Sequence, residues 1–283
     1  MHLALLVTGA WHLSIGAYSG GALFGAVCTM GVSCGVYGIN VGHELGHRRE
    51  AHLQTAAMIF LGSSLYGHFF IEHNRGHHRR VATAEDPASA DKGQNVYAFW
   101  VQSVVGSWTS AWELENQRVA RKGLPWWTWS NQMVRVVVGQ GVALAAVLVC
   151  FGPAVTGAWV IASAMGALLL ETVNYLEHYG LRRNREDHGG YERVRPHHSW
   201  NSNRWLGRAV LYELTRHSDH HANATRPYQV LRHHDEAPEL PTGYPALVVI
   251  ALIPPLFRWA MHPSLEAWET KMQATPVLAC PSK

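Results

Sequence analysis

Nineteen histidines occur in the 283 residues, and eight of them fall into three short clusters. Leu214 to Pro227 carries His217, His220 and His221 at i, i+3 and i+4. On a helix that spacing predicts three imidazoles on one face, one turn apart. Three neutral nitrogen donors converging from one turn make half of an octahedral metal shell, and imidazole suits iron, zinc, copper or nickel. Upstream, Gly42-His43-Glu44-Leu45-Gly46-His47 holds a His-x3-His pair, and Glu72-His73-Asn74-Arg75-Gly76-His77-His78 holds a His-x3-His-His. His178, within Asn174-Tyr175-Leu176-Glu177-His178-Tyr179-Gly180, is a ninth candidate. Nine donors exceed the about four to six that one metal takes and suit two.

Carboxylates accompany these clusters. Glu44, Glu72, Glu177 and Asp219 each neighbour a candidate ligand, while Glu171 and Asp86 lie further off. One residue's offset turns a helical side chain about 100° away. The six are therefore expected to hold imidazole N–H groups of other ligands rather than to bind metal, with a carboxylate ligand, as in soluble di-iron bundles, as the alternative. Glu171, Asn174 and His178 recur at i, i+3 and i+7 as a polar stripe on an apolar helix, a pattern that marks function inside a membrane. Of the other histidines, His12 is expected to be packed and His188, His197 and His198 to be solvated. His233 and His234 are possible further ligands.

The elements that must position these groups are apolar helices. The chain is 48% hydrophobic and 15% charged, against about 25% charged in soluble domains. Residues 1–42, 53–71 and 136–170 contain no Asp, Glu, Lys or Arg, and a crossing takes about 20 apolar residues. Residues 3–18 and 22–41 predict one transmembrane hairpin, and small residues of its second arm such as Gly25, Gly31, Gly35 and Gly38 would let neighbouring helices approach closely. Residues 133–151 and 154–179 predict another, with Gly152-Pro153 at its turn. Residues 53–71 start and end beside a His cluster, so a full crossing would put the first two clusters on opposite faces. A re-entrant or interfacial segment is expected there. The tryptophans of 96–119 and 125–129 suit the interface, and 243–257 is too short to span and should lie against the membrane.

Arg48, Arg49, Arg79, Arg80, Arg182, Arg183 and Arg185 follow apolar segments or His clusters directly, which places those ends in the cytoplasm. Met1 is followed by no basic stretch, so the first segment reads as a retained helix. Cys28, Cys34, Cys150 and Cys280 form no Cys-x2-Cys pair, which leaves neither a disulfide framework nor a thiolate metal site. The chain likewise has no Gly-x-Gly-x-x-Gly, so electrons for redox chemistry must come from a separate protein. The arginines offer a surface to an acidic donor or to anionic lipid. A net charge of +3 gives no reason to expect nucleic acid. The reading is an all-α integral membrane protein: one domain over 1–283, two transmembrane hairpins, a re-entrant or interfacial segment and a cytoplasmic His-rich di-metal site.

Taken in order, the three clusters and the Asn-Tyr-x-Glu-His-Tyr-Gly stretch resemble the integral-membrane desaturase and hydroxylase superfamily. More narrowly, over residues 3–259, they look like the signatures of the membrane alkane 1-monooxygenases. The resemblance implies a non-haem site of two iron ions, with O2 as co-substrate and terminal hydroxylation of a medium-chain n-alkane. It implies His43, His47, His73, His77, His78, His178, His217, His220 and His221 as ligands. It also implies rubredoxin, fed by an NADH-dependent rubredoxin reductase, as electron donor, and a multi-pass place in the bacterial inner membrane. Members of that family carry two further transmembrane helices ahead of the hairpin at which this chain begins. The chemistry agrees, since an unactivated methyl C–H bond needs an oxidant made at a redox metal, and zinc cannot supply electrons. The alternatives are a membrane fatty-acid desaturase, an aryl-methyl monooxygenase or a sterol-type hydroxylase. A metal transporter is a different class, and nine histidines on one side, with no ligand path across the membrane, argue against it.

Overall fold

A computed structural model describes residues 1–274 except His188, so the expectations for His188 and Cys280 fall outside the described residues. Its helices are α1 (His2–Ser14), α2 (Gly20–Gly46), α3 (Ala51–Ser63), α4 (Phe69–Glu72), α5 (Val96–Ala120), α6 (Gln132–His178), α7 (Trp205–Val210), α8 (His217–Ala222), α9 (Tyr244–Ala251) and α10 (Pro254–Ala274). No strand forms among the described residues, only two isolated bridges.

α2 and α6 are long and apolar enough to cross a membrane, with mean hydropathies of 1.7 and 2.2. Around the middle of α6 several apolar side chains point outward, Val149 being 85% and Val142 64% exposed, a surface that suits lipid rather than water. The Asn131 side chain caps α6 by accepting from Met133 N at 2.9 Å. At Gly152 the backbone takes φ 84° and ψ 174°, reachable without a Cβ, and Pro153 opens a second arm. A straight rod would hold residues 133 and 170 about 55 Å apart. Met133 instead shares one core cluster with Ala167 and Leu170, so the two arms fold back side by side.

The second arm of α6 packs on α2 through small residues. A Cβ on Gly166 would lie 2.6 Å from Cys34 Cβ and 2.7 Å from Gly35 N. The contact falls at a π-helical stretch of α2, Cys34–Ile39. Gly31 and Gly35 line it as expected, whereas Gly25 faces open space.

Residues 53–71 are not one element. α3 runs back along α2, the chain reverses at 64–67 with Leu65 at φ 52°, and α4 returns. Gly38 makes the reversal possible, since a Cβ there would lie 2.1 Å from Ser64 Oγ. The excursion leaves from His47 and comes back to His73, whose ring centroid lies 4.2 Å from that of His43.

One expectation gains an inner face here and another fails. Residues 243–257 do not merely lie on a surface. Tyr244, Leu247, Ala251 and Phe257 are buried against Tyr175, Leu176, Tyr179 and Trp200, because apolar residues at helical spacing give α9 and α10 an inner face. The helix also continues to Ala274, which the hydropathy pattern does not announce. His12 is exposed rather than packed, its ring 6.0 Å from Tyr18.

Candidate metal centre

Four segments converge at one end of the bundle: the end of α2, the turn after α4, the end of α6, and α8. They gather the nine histidines named above into two groups. His43, His47, His73, His78 and His220 form one, and His77, His178, His217 and His221 form the other. Within each group, one nitrogen per residue lies within 4.8 Å of all the others.

The nitrogens face each other. His43 Nε2 lies 3.2 Å from His220 Nε2, and His73 Nε2 lies 3.0 Å from His78 Nε2. His217 Nε2 is 3.1 Å from His178 Nε2 and 2.9 Å from His221 Nε2. One Nε2–H cannot satisfy two such neighbours, whereas a cation between them can. A metal about 2.1 Å from each imidazole puts neighbouring donors about 3.0 Å apart at right angles and about 3.4 Å apart at tetrahedral angles, so both groups fit an ion. His47 Nε2 is buried without a hydrogen-bond partner, as an open donor would be.

Burial, with the neighbouring imidazoles adding to it, holds His73, His217, His220 and His221 well below the ordinary range and takes His78 to about 3. These rings are neutral and offer lone pairs. His77 differs: burial opposes its charge, but Asp86 Oδ2, 3.0 Å from His77 Nδ1, outweighs that and raises it. Asp86 is held low in return, its burial outweighed by His77 and Ser89.

His217, His220 and His221 share one face as expected, their ring centroids 4.4 to 5.5 Å apart, but they serve both groups. His217 and His221 join one group and His220 the other, because positions i+3 and i+4 straddle the starting direction by about 100°. Residues 73–77 form a π-helical turn, a feature frequent at functional sites. The wider turn brings His78, not His77, to His73 and releases His77 to the second group.

The six carboxylates divide. Asp86 holds His77, and Glu177 Oε1 lies 3.2 Å from His217 Nδ1. The other four do not hold an imidazole of either group. Glu44 pairs with Arg48 and accepts from Tyr228 N. Glu72 takes Arg80 at 2.7 Å, and Glu171 takes the Tyr66 hydroxyl at 2.7 Å together with Ser103 and Asn174. Asp219 binds Arg226, Arg232 N and His234 Nε2, the last at 3.1 Å. Spacing could have shown Arg48 at i+4 from Glu44 and Asn174 at i+3 from Glu171, but not Tyr66, Ser103, Tyr228 or His234, which come from other segments. His233 and His234 stand outside both groups. Of the arginines that follow the apolar segments and His clusters, Arg48, Arg80 and Arg182 pair with carboxylates of this chain.

Glu192, His197 and His198 form a third cluster of ligand-type atoms, but its chemistry does not fit a metal. His198 Nδ1 accepts from Arg195 N at 3.0 Å. The neutral ring therefore carries its proton on Nε2, which lies 3.4 Å from Glu192. His198 is buried rather than solvated, and His197 is half-buried, because the cluster packs into the fold instead of lying in an open loop.

Residues 19–251 match the fatty acid desaturase family, and the chain belongs to it. Within that family it is similar to the alkane 1-monooxygenases. It is 43% identical to that of Pseudomonas putida over 95% of this chain and 66% of the relative. It is 42% identical to that of Ectopseudomonas oleovorans over 95% and 67%. The xylene/toluene monooxygenase hydroxylase component of Pseudomonas putida is 32% identical over 89% and 67%. The chain spans about two thirds of the length of these relatives.

Proposed function

We propose that this chain is an enzyme, a non-haem di-iron monooxygenase that converts the terminal methyl of a medium-chain n-alkane to the primary alcohol with O2 and two electrons. One observation carries the reading: nine imidazoles divided five and four, in a chain whose similar relatives are named alkane 1-monooxygenases. Two irons held there would supply an O2-derived oxidant strong enough for an unactivated C–H bond.

The chain's own residues bind, orient and exclude water. Asp86 takes the Nδ1–H of His77 and so leaves Nε2 as its donor; such a partner fixes ring orientation and raises ligand basicity. Glu177 Oε1 lies 3.2 Å from His217 Nδ1, which makes no hydrogen bond. Burial of seven of the nine histidines in the helix bundle keeps water from the site. An apolar groove of about 920 Å³, lined by Leu6, Met58, Ile59, Phe70, Val136 and Trp159 among others, is of a size and character that suits an alkane. Phe70 adjoins Phe69, whose ring stacks 4.7 Å from His73.

We infer that rubredoxin, reduced by an NADH-dependent reductase, delivers the electrons to the arginine-bearing side. The protein then lies in the bacterial inner membrane as one domain, with α1 and α2 as one transmembrane hairpin and the two arms of α6 as the other. The metal centre faces the cytoplasm.

The test is iron content per chain in nanodiscs, followed by product analysis with n-octane and isotopically labelled O2. About two irons and labelled 1-octanol are expected. Zinc in place of iron, or alcohol oxygen derived from water, would overturn the reading. Faster oxidation of the toluene methyl group would move it to the aryl-methyl class, and a double bond placed in a fatty acyl chain to the desaturases.

A further inference from the structure

A row of aromatic rings runs from the surface to His73. Trp127 and Trp126, 64% and 57% exposed, lie between α5 and α6 with ring centroids 5.7 Å apart. Trp126 is 6.3 Å from Trp112, and Trp112 is 6.4 Å from Trp108 one turn earlier on α5. From Trp108 the row passes to His68 at 5.2 Å and on to Tyr66 at 4.5 Å. Tyr66 stacks on Phe69 at 5.9 Å, and Phe69 stacks on His73 at 4.7 Å.

Indole and phenol are side chains that lose one electron readily, and a phenol must shed its proton as it does so. Tyr66 has the acceptor in place: it is buried, and its hydroxyl donates to Glu171 Oε1 at 2.7 Å. An interfacial tryptophan belt would account for Trp126 and Trp127. It would not account for the inward continuation through Trp108 and His68 to a tyrosine bonded to a carboxylate.

We propose that this row is an escape path for oxidising equivalents, coupled to proton exchange between Tyr66 and Glu171. It rests on the reading above, in which a one-electron oxidant arises from O2 at the centre. When alkane is absent, Tyr66 gives one electron inward and its hydroxyl proton to Glu171, becoming a neutral phenoxyl. Trp108, Trp112 and Trp126 then pass one electron inward in succession, and Tyr66 takes its proton back from Glu171. The net change is one electron gained at the centre and one lost from Trp126 or Trp127. There a small thiol reductant can restore it from solution, and the metal-binding histidines are spared.

The first test needs no metal. The full chain in detergent is flash-oxidised with a photogenerated ruthenium(III) polypyridyl oxidant, and phenoxyl is read by transient absorption and electron paramagnetic resonance. Above the background that exposed Tyr18 and Tyr97 give in every variant, the row predicts a phenoxyl component that Tyr66→Phe removes and Trp112→Phe reduces at least tenfold. Trp205→Phe, exposed but off the row, leaves it unchanged, and Glu171→Gln slows its formation. An undiminished signal in Trp112→Phe overturns the proposal, whatever becomes of the di-iron reading. In a second test the iron-loaded, reduced protein meets O2 without alkane, and oxygenated peptides are mapped by mass spectrometry. Oxygenation at Trp126 and Trp127 that disappears in Trp112→Phe supports the path; equal oxygenation in both proteins overturns it.

Discussion

Asp86 and Glu72 flank the same histidine run, yet only Asp86 touches one of its rings. Asp86 Oδ2 accepts from His77 Nδ1 at 3.0 Å and from Ser89 Oγ at 2.6 Å, so it fixes which nitrogen of His77 faces the second group. Glu72 turns away to Arg80 and Ser110. Loss of such a carboxylate partner typically lowers metal affinity about 10–100-fold. Asp86→Asn is therefore expected to weaken iron retention by that order against a competing chelator, and Glu72→Gln to leave it unchanged. Equal losses in the two variants would mean that Asp86 acts only by holding its loop. Eight of the nine histidines could be named from spacing because His-x3-His and His-x2-His-His patterns survive any detail of packing, and His178 from its polar stripe with Glu171 and Asn174. Their division five and four could not. It depends on a π-helical turn at 73–77, and periodicity assumes α-helical geometry.

At the scale of helices, the centre depends on how closely α2 approaches the second arm of α6, since His43 and His178 lie at their ends. Gly166→Val would place side-chain atoms where Cys34 and the Gly35 backbone stand, and a backbone neighbour cannot move aside cheaply. It is expected to cost a few kcal/mol, seen as lost folded yield and lost metal. Gly25→Val on the same α2, which meets nothing within 4 Å, should retain both. A second tie joins the turn after α4 to α5 and α6: buried Glu115 takes Arg118, Arg75 and the Gln132 amide. Burial opposes its charge, but Arg118, that amide and Arg75 outweigh it and take Glu115 from 4.5 to about 2. A carboxyl depressed in the folded state stabilises above its unfolded value, and that contribution fades as pH falls from about 4.5 to about 2. Glu115→Gln should thus lose at most about 3 kcal/mol at pH 7, with its melting deficit narrowing across that window. The long helices were legible from uncharged runs. The reversal at 64–67 was not, because it rests on Leu65 at positive φ and on Gly38 admitting Ser64, neither of which leaves a local signal. Nor was α10, whose inner face finds its partners in Tyr175 and Tyr179 only once the chain has folded.

Across the whole molecule, the nine imidazoles come from residues 43 to 221, so the centre cross-links segments that are distant in sequence. These side chains meet other imidazoles nitrogen to nitrogen, and neutral rings so set contribute little cohesion by themselves. A bound cation reverses that, because it binds the folded arrangement and not the separated segments. Ligand linkage adds about 2.7 kcal/mol per ion at a free concentration one hundred times the dissociation constant. In a chain of this size that corresponds to roughly 5–10 °C. Chelating the metal from purified protein should therefore lower the thermal unfolding midpoint in detergent by about that much per ion. Anaerobic iron(II) should restore it in full. The order of loss is informative as well: His178→Ala, in the four-histidine group, should retain about one iron per chain and show the smaller part of the drop. If metal-free and metal-loaded protein melted together, the two groups would be packed histidines and the cohesion of this end of the bundle would lie in its ion pairs and in the Trp200 and Tyr179 core.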